Sequence, residues 1–129
     1  MKRGLLACLL CALAIAAQAQ SMFELGRKYR HGDGVRRDSA RAFALIEGAA
    51  SGGDPAAMFT VSNMLEAGEG TTKDRAAAKK WLEAAAERDS PEALQALALN
   101  LQDGTMGYEV DLVRSAQLMR VAAHAMKHR

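Results

Sequence analysis

Apolar positions recur along this chain at i, i+3 and i+4 spacing, the period of an amphipathic helix, and no stretch alternates long enough to predict a strand. The same pattern then returns about 36 residues later. The two prolines, Pro55 and Pro91, are 36 apart, and each follows a residue suited to capping a helix, Asp54 or Ser90. A proline at the first helical position lacks only an N–H that would be unpaired there anyway, and the cap oxygen accepts from a neighbouring free amide. Gly32, Gly68 and Gly104 keep the same period, as do Gly34 and Gly70, and Asp38 and Asp74. The apolar set follows: Leu25, Val61 and Leu97, then Tyr29, Leu65 and Leu101. Ala49-Ala50 corresponds to Ala85-Ala86, and one inserted residue aligns Ala122-Ala123.

The repeating unit is therefore helix, glycine-containing turn, helix, with units at about 21–53, 54–89 and 90–126. First helices are predicted near 22–31, 55–67 and 91–103, and second helices near 38–51, 74–88 and 111–126. Small residues occupy two recurrent positions, Gly26/Ser62/Ala98 and Ala42/Ala78/Ser115, where helices must approach closely. Leu45, Trp81 and Leu118 share a larger, filling position. One helix pair cannot bury its own apolar stripe, whereas stacked pairs make one continuous core. The fold class is an all-α solenoid of three helix-turn-helix repeats.

The turns contain Gly-x-Gly before a helix, as in "HGDGVRRD" and "AGEGTTKD". A phosphate-binding loop would follow a strand and carry a lysine aimed at the phosphates. Here a helix precedes, and Asp38, Asp74 and Asp111 stand at the helix start where an anion would sit. The glycines instead supply positive φ at the end of the first helix, and the aspartates cap the second. The third turn, "GTMGYEVD", is one residue longer and places Met106 where the second glycine is expected.

These residues resemble the Sel1-like repeat, a relative of the tetratricopeptide repeat. The first copy carries Leu25-Gly26, Tyr29, Gly32-x-Gly34-Val35, Asp38, Ala42 and Ala49-Ala50; the second carries Gly68-x-Gly70, Asp74, Ala78, Trp81-Leu82 and Ala84-Ala85-Ala86. The resemblance implies a protein or peptide partner held non-catalytically on the first helices, which line a concave groove in tetratricopeptide arrays. The residues placed there are Phe23, Arg27 and Arg30, then Phe59, Asn63 and Glu66, then Gln95, Leu99 and Gln102. It also implies adaptor, regulatory or toxin-neutralising immunity roles, with an envelope hydrolase of β-lactamase-like or cell-wall-active type as the alternative. Cysteine-rich relatives of that kind rest on disulfides.

The N-terminus changes the picture of where the domain works. "MKRGLLACLLCALAIAAQAQ" has a basic start, a short apolar run and Ala17-Gln18-Ala19, a form that signal peptidase accepts. Residues 1–19 are read as a secretory signal, cleaved before Gln20, leaving residues 20–129 as an exported, periplasmic repeat domain with no membrane span. A lipoprotein at Cys8 and a secreted product are the alternatives. Lys2 and Arg3 account for the whole excess of 17 basic over 15 acidic residues, so the remainder carries no formal net charge. That balance excludes the basic footprint of a nucleic-acid binder. Both cysteines, Cys8 and Cys11, also lie in the leader, so the repeat domain has no thiol nucleophile and no disulfide.

Little catalytic chemistry remains. His124 and His128 stand at i, i+4, a spacing that lets two imidazoles share a metal, but no glutamate lies between them as in H-E-x-x-H. Ser21, Ser39, Ser51, Ser62, Ser90 and Ser115 have no nucleophile-elbow context. No cofactor is expected, and the expectation is of a binding module rather than an enzyme. The pattern leaves the oligomeric state open.

Overall fold

A computed structural model describes residues 2–128, which form six α-helices and, among the described residues, no strand. They are α1 (Lys2–His31), α2 (Ser39–Ser51), α3 (Pro55–Ala67), α4 (Arg75–Glu87), α5 (Pro91–Asp103) and α6 (Leu112–Lys127). Each odd helix pairs with the even helix after it, and α2 packs on α3 and α4 on α5 to join the repeats.

Five helices begin where the capping pattern predicts. Asp38 accepts from the Arg41 amide at 3.0 Å, Asp74 from Ala77 at 3.0 Å and Asp111 from Arg114 at 2.9 Å. Asp54 accepts from Ala56 and Ala57, and Ser90 from Ala93. The first helix differs from the expected 22–31, because it runs unbroken from Lys2. The reason is visible by repeat alignment. The positions matching Asp54-Pro55 and Ser90-Pro91 are Gln18-Ala19, which offer neither a cap nor a proline, and the leader beyond is rich in helix-forming Ala and Leu. The leader's leucines and both cysteines are exposed, while Ala19 is only 4% exposed and closes the repeat core against Gly52.

The core is made of small and medium side chains, with Ile46, Met64, Leu82 and Val61 the largest that are fully buried. The two small-residue positions face each other within each repeat. A Cβ on Gly26 would strike Ile46 and crowd the Ala42 carbonyl. In the second repeat the Ser62 hydroxyl donates to the Ala78 carbonyl at 2.7 Å, and in the third the direction reverses, Ser115 donating to Ala98 at 2.7 Å. Among the described residues, close approach thus leaves no buried hydroxyl unpaired. Leu45, Trp81 and Leu118 are half-buried at the margin of this core rather than inside it.

One apolar expectation needs correction. Leu25 is 42% exposed, whereas its equivalents Val61 and Leu97 are 0% and 2% exposed. Val61 and Leu97 each lie on a helix covered by the second helix of the preceding repeat, and α1 has no such neighbour. In the third turn, the glycine that replaces Gly70 is Gly107, displaced by the inserted residue. Met106 and Gly107 both take positive φ, 52° and 75°.

Candidate interaction face on the first helices

Three successive first helices bring the proposed contact residues into one register, but they do not leave all of them free. Arg27, Asn63, Gln95, Leu99 and Gln102 are exposed. Arg27 lies against Glu24 one turn earlier, Nη1 to Oε1 at 3.4 Å, with its guanidinium 5.9 Å from the Phe23 ring centre. Phe23 and Phe59 are half-buried, each with part of its ring against the core and part in solvent. Phe23 borders a cleft of about 400 Å³ whose walls include Ala19, Glu24, Gly52 and Pro55.

Arg30 and Glu66 are already engaged. Arg30 makes a two-pronged ion pair with Glu69 in the turn of the second repeat, Nη2 to Oε2 at 2.9 Å and Nε to Oε1 at 3.0 Å. That pair is under one-third exposed and pins the first repeat to the second. Its hydrogen bond from Arg30 holds the Glu69 carboxyl below its ordinary range, against the opposing effect of partial burial. Glu66 accepts from Arg75 at 2.9 Å, with Lys73 3.9 Å away. Glu69 and Arg75 were not singled out by the sequence. Their partners stand 39 and nine residues away, and only the stacking of repeats brings the longer pair together.

The third turn and α4 carry features that periodicity alone did not mark. Tyr108 in the third turn donates its hydroxyl to Glu83 at 3.0 Å, and Lys79 sits 4.2 Å from its ring centre while donating to the Gly107 carbonyl. Burial, with help from the Glu83 carboxylate, pushes the Tyr108 phenol well above its ordinary value. A cleft of about 400 Å³ lies nearby, lined by Glu83, Glu87, Ala86, Leu94, Leu97 and Leu118 among others.

Three of the six serines have structural duties: Ser62 and Ser115 bond backbone carbonyls, and Ser90 caps α5. His124 and His128 lie on an exposed helix end with ring centres 4.5 Å apart and ring planes tilted by 60°. Among the described residues no group of three or more His, Cys, Asp or Glu is arranged to hold a metal ion.

Comparison with known proteins supports this architecture. The Sel1 repeat family model matches residues 19–54, 55–90 and 91–125. A Sel1 repeat protein from Oxalobacter formigenes, known from its crystal structure, is 31% identical with a TM-score of 0.80, over 83% of this chain and 43% of that one. A protective antigen present in uropathogenic Escherichia coli strains, which displays an SLR fold, is 28% identical with a TM-score of 0.75, over 82% of this chain and 22% of the antigen. The chain thus spans less than half the length of either structure. No curated protein matches it significantly. With three matched units that tile α1 to α6 in the observed register, the chain belongs to the Sel1 repeat family.

Proposed function

We propose that this chain is an exported, non-catalytic binding module that holds a protein or peptide of the cell envelope on its first helices. Sel1 repeat proteins generally mediate protein–protein interaction. The observation that carries the assignment to this face is the run of exposed, unlike side chains in one register: Arg27, Asn63, Gln95, Leu99 and Gln102, flanked by the half-buried rings of Phe23 and Phe59. Arginine and aromatic anchors are what protein interfaces favour. Arg30 and Glu66 support the face rather than contact the partner, since each is held in an ion pair with another part of the array. Adaptor, regulatory and immunity roles all use such a surface.

The apolar N-terminal helix is compatible with a signal sequence. Processing before Gln20 would remove Ala19 and widen the cleft beside Phe23, giving the partner an apolar recess at the start of the array. Photo-crosslinking in the producing cell tests the face. A benzophenone side chain at Asn63 or Leu99 should trap one protein adduct, and the same group at exposed Lys80 on α4 should not. Adducts of equal yield at all three positions, or at Lys80 alone, would place binding elsewhere.

A further inference from the structure

α5 packs on both α4 and α6, and the cleft that the three helices enclose carries unlike groups on its two sides. Glu83 and Glu87 line it from α4, one helical turn apart, and Arg114 lines it from α6. Leu94, Leu97 and Leu118 supply the apolar surface between them, around a volume of about 400 Å³. A recess of this size, apolar at its base with a few charged groups at its rim, has the makeup of a binding site. Glu83 is held in place by the hydrogen bond from Tyr108 at 3.0 Å. Glu87 and Arg114 are exposed, and among the described residues neither has an ion-pair partner.

This set of groups is not a by-product of the repeat. At the preceding joint, the positions of Glu87, Arg114 and Leu118 are held by Ser51, Ala77 and Trp81. Two charges are missing there, and an indole packed against the core takes the place of the smaller leucine. The cleft is also internal to the array, since every wall comes from α4, α5 or α6. Ala77 and Trp81 stay half-buried although α5 and α6 follow them, so this side of a second helix keeps contact with solvent even where another repeat is stacked on it.

Charge complementarity defines the occupant. Two carboxylates on one side call for a cation, the guanidinium on the other calls for an anion, and the leucines call for an apolar side chain between them. In an extended chain, residues i, i+2 and i+4 share one face. We propose that this cleft binds an extended segment of a partner protein whose alternate residues are basic, apolar and acidic. Glu83 and Glu87 hold the basic side chain, Leu94, Leu97 and Leu118 receive the apolar one, and Arg114 holds the acidic one. Ion pairs formed over an apolar floor are screened less by salt than pairs in open water. This site is separate from the first-helix face and uses none of Arg27, Asn63 or Leu99.

Nuclear magnetic resonance of the full chain tests it, in a mild non-ionic detergent that shields the apolar N-terminal helix, with acetyl-Lys-Ser-Leu-Ser-Glu-amide as the probe. The methyl signals of Leu94, Leu97 and Leu118 should shift and saturate as the probe is added. Replacing the central leucine of the probe by serine should weaken binding about tenfold. Glu87→Lys should weaken binding of the original probe about fivefold. The same variant should bind acetyl-Glu-Ser-Leu-Ser-Glu-amide more tightly than wild type does, an inversion that loss of structure cannot produce. Leu118→Trp, which copies Trp81, should fill the recess and abolish the shifts of Leu94 and Leu97 with circular dichroism unchanged. Should that variant lose helicity, the charge inversion alone decides the result. No saturating shift at the three leucines, an unchanged charge preference in Glu87→Lys, or shifts confined to the surroundings of Asn63 and Leu99 would each overturn the proposal. The last result would make the first-helix face the peptide site, whereas failure of crosslinking at Asn63 and Leu99 leaves the cleft untouched.

Discussion

Gly34 and Gly70 offer a controlled measurement of how much one repeat-to-repeat contact stabilises the array. Their φ angles are 69° and 71°, so an alanine at either incurs the same left-handed backbone cost, about 1–2 kcal/mol. The surroundings differ. At Gly34 an added methyl meets nothing within 4 Å, whereas at Gly70 it would overlap the Ser39 carbonyl and crowd the Ala40 amide nitrogen at 3.1 Å. Those atoms belong to the first turn of α2, capped by Asp38, and cannot swing aside as a side chain could. Overpacking against such a wall costs about 1–3 kcal/mol. Gly34→Ala should therefore destabilise by about 1–2 kcal/mol and Gly70→Ala by about 2–5 kcal/mol. Urea denaturation followed by circular dichroism separates the two. With a slope of about 1–3 kcal/mol per molar urea, the midpoints of the two variants should differ by about 1 M. Stacked repeats draw stability from intrinsic terms and nearest-neighbour terms. Gly34→Ala touches only the first kind and should keep a single sharp transition, while Gly70→Ala also weakens the joint and should broaden it. Midpoints that agree within experimental error would refute the claim that this joint is set by backbone contact at Gly70.

Two further outcomes follow from the ionisable groups. Glu69→Gln should destabilise the array by about 0.5–1 kcal/mol near neutrality, since the pair with Arg30 is partly solvated. The Glu69 carboxyl is depressed in the folded state, so its contribution is present above the unfolded carboxylate range and disappears as pH falls through the folded value. Wild type and variant stability curves should therefore converge in acid; a constant offset down to pH 2 would contradict the pairing. In a Tyr29→Phe background, the remaining Tyr108 phenol should show its alkaline absorbance change well above pH 10, because burial and Glu83 favour the protonated form. The raised value also means that the Tyr108 contribution is complete below pH 10 and is lost as pH rises further. Titration of Tyr108 at the ordinary phenol value would place its ring outside the Lys79–Glu83 niche.

The 36-residue period determined the number of repeats, the class of fold and nearly every helix boundary. The reason is that caps, prolines and positive-φ glycines act over three or four residues, so their meaning is carried by local sequence. Asp38, Asp74 and Asp111 could be read as caps with no knowledge of what packs above them. The lack of a cap or proline at Gln18-Ala19 was equally legible, and it is why α1 runs through the leader. Other features needed the third dimension. Leu25 has the same residue class and spacing as Val61 and Leu97, yet it is exposed because burial belongs to the neighbour and not to the residue. Arg30 fits the pattern of a contact residue until stacking brings Glu69 within 2.9 Å. Gly34 and Gly70 are indistinguishable along the chain, and only the preceding repeat makes one of them a close contact. Periodicity specified the unit and its turns because those interactions are short in sequence. Which copies of a position are covered, paired or free was decided by the stacking, because each such position depends on atoms a full repeat away.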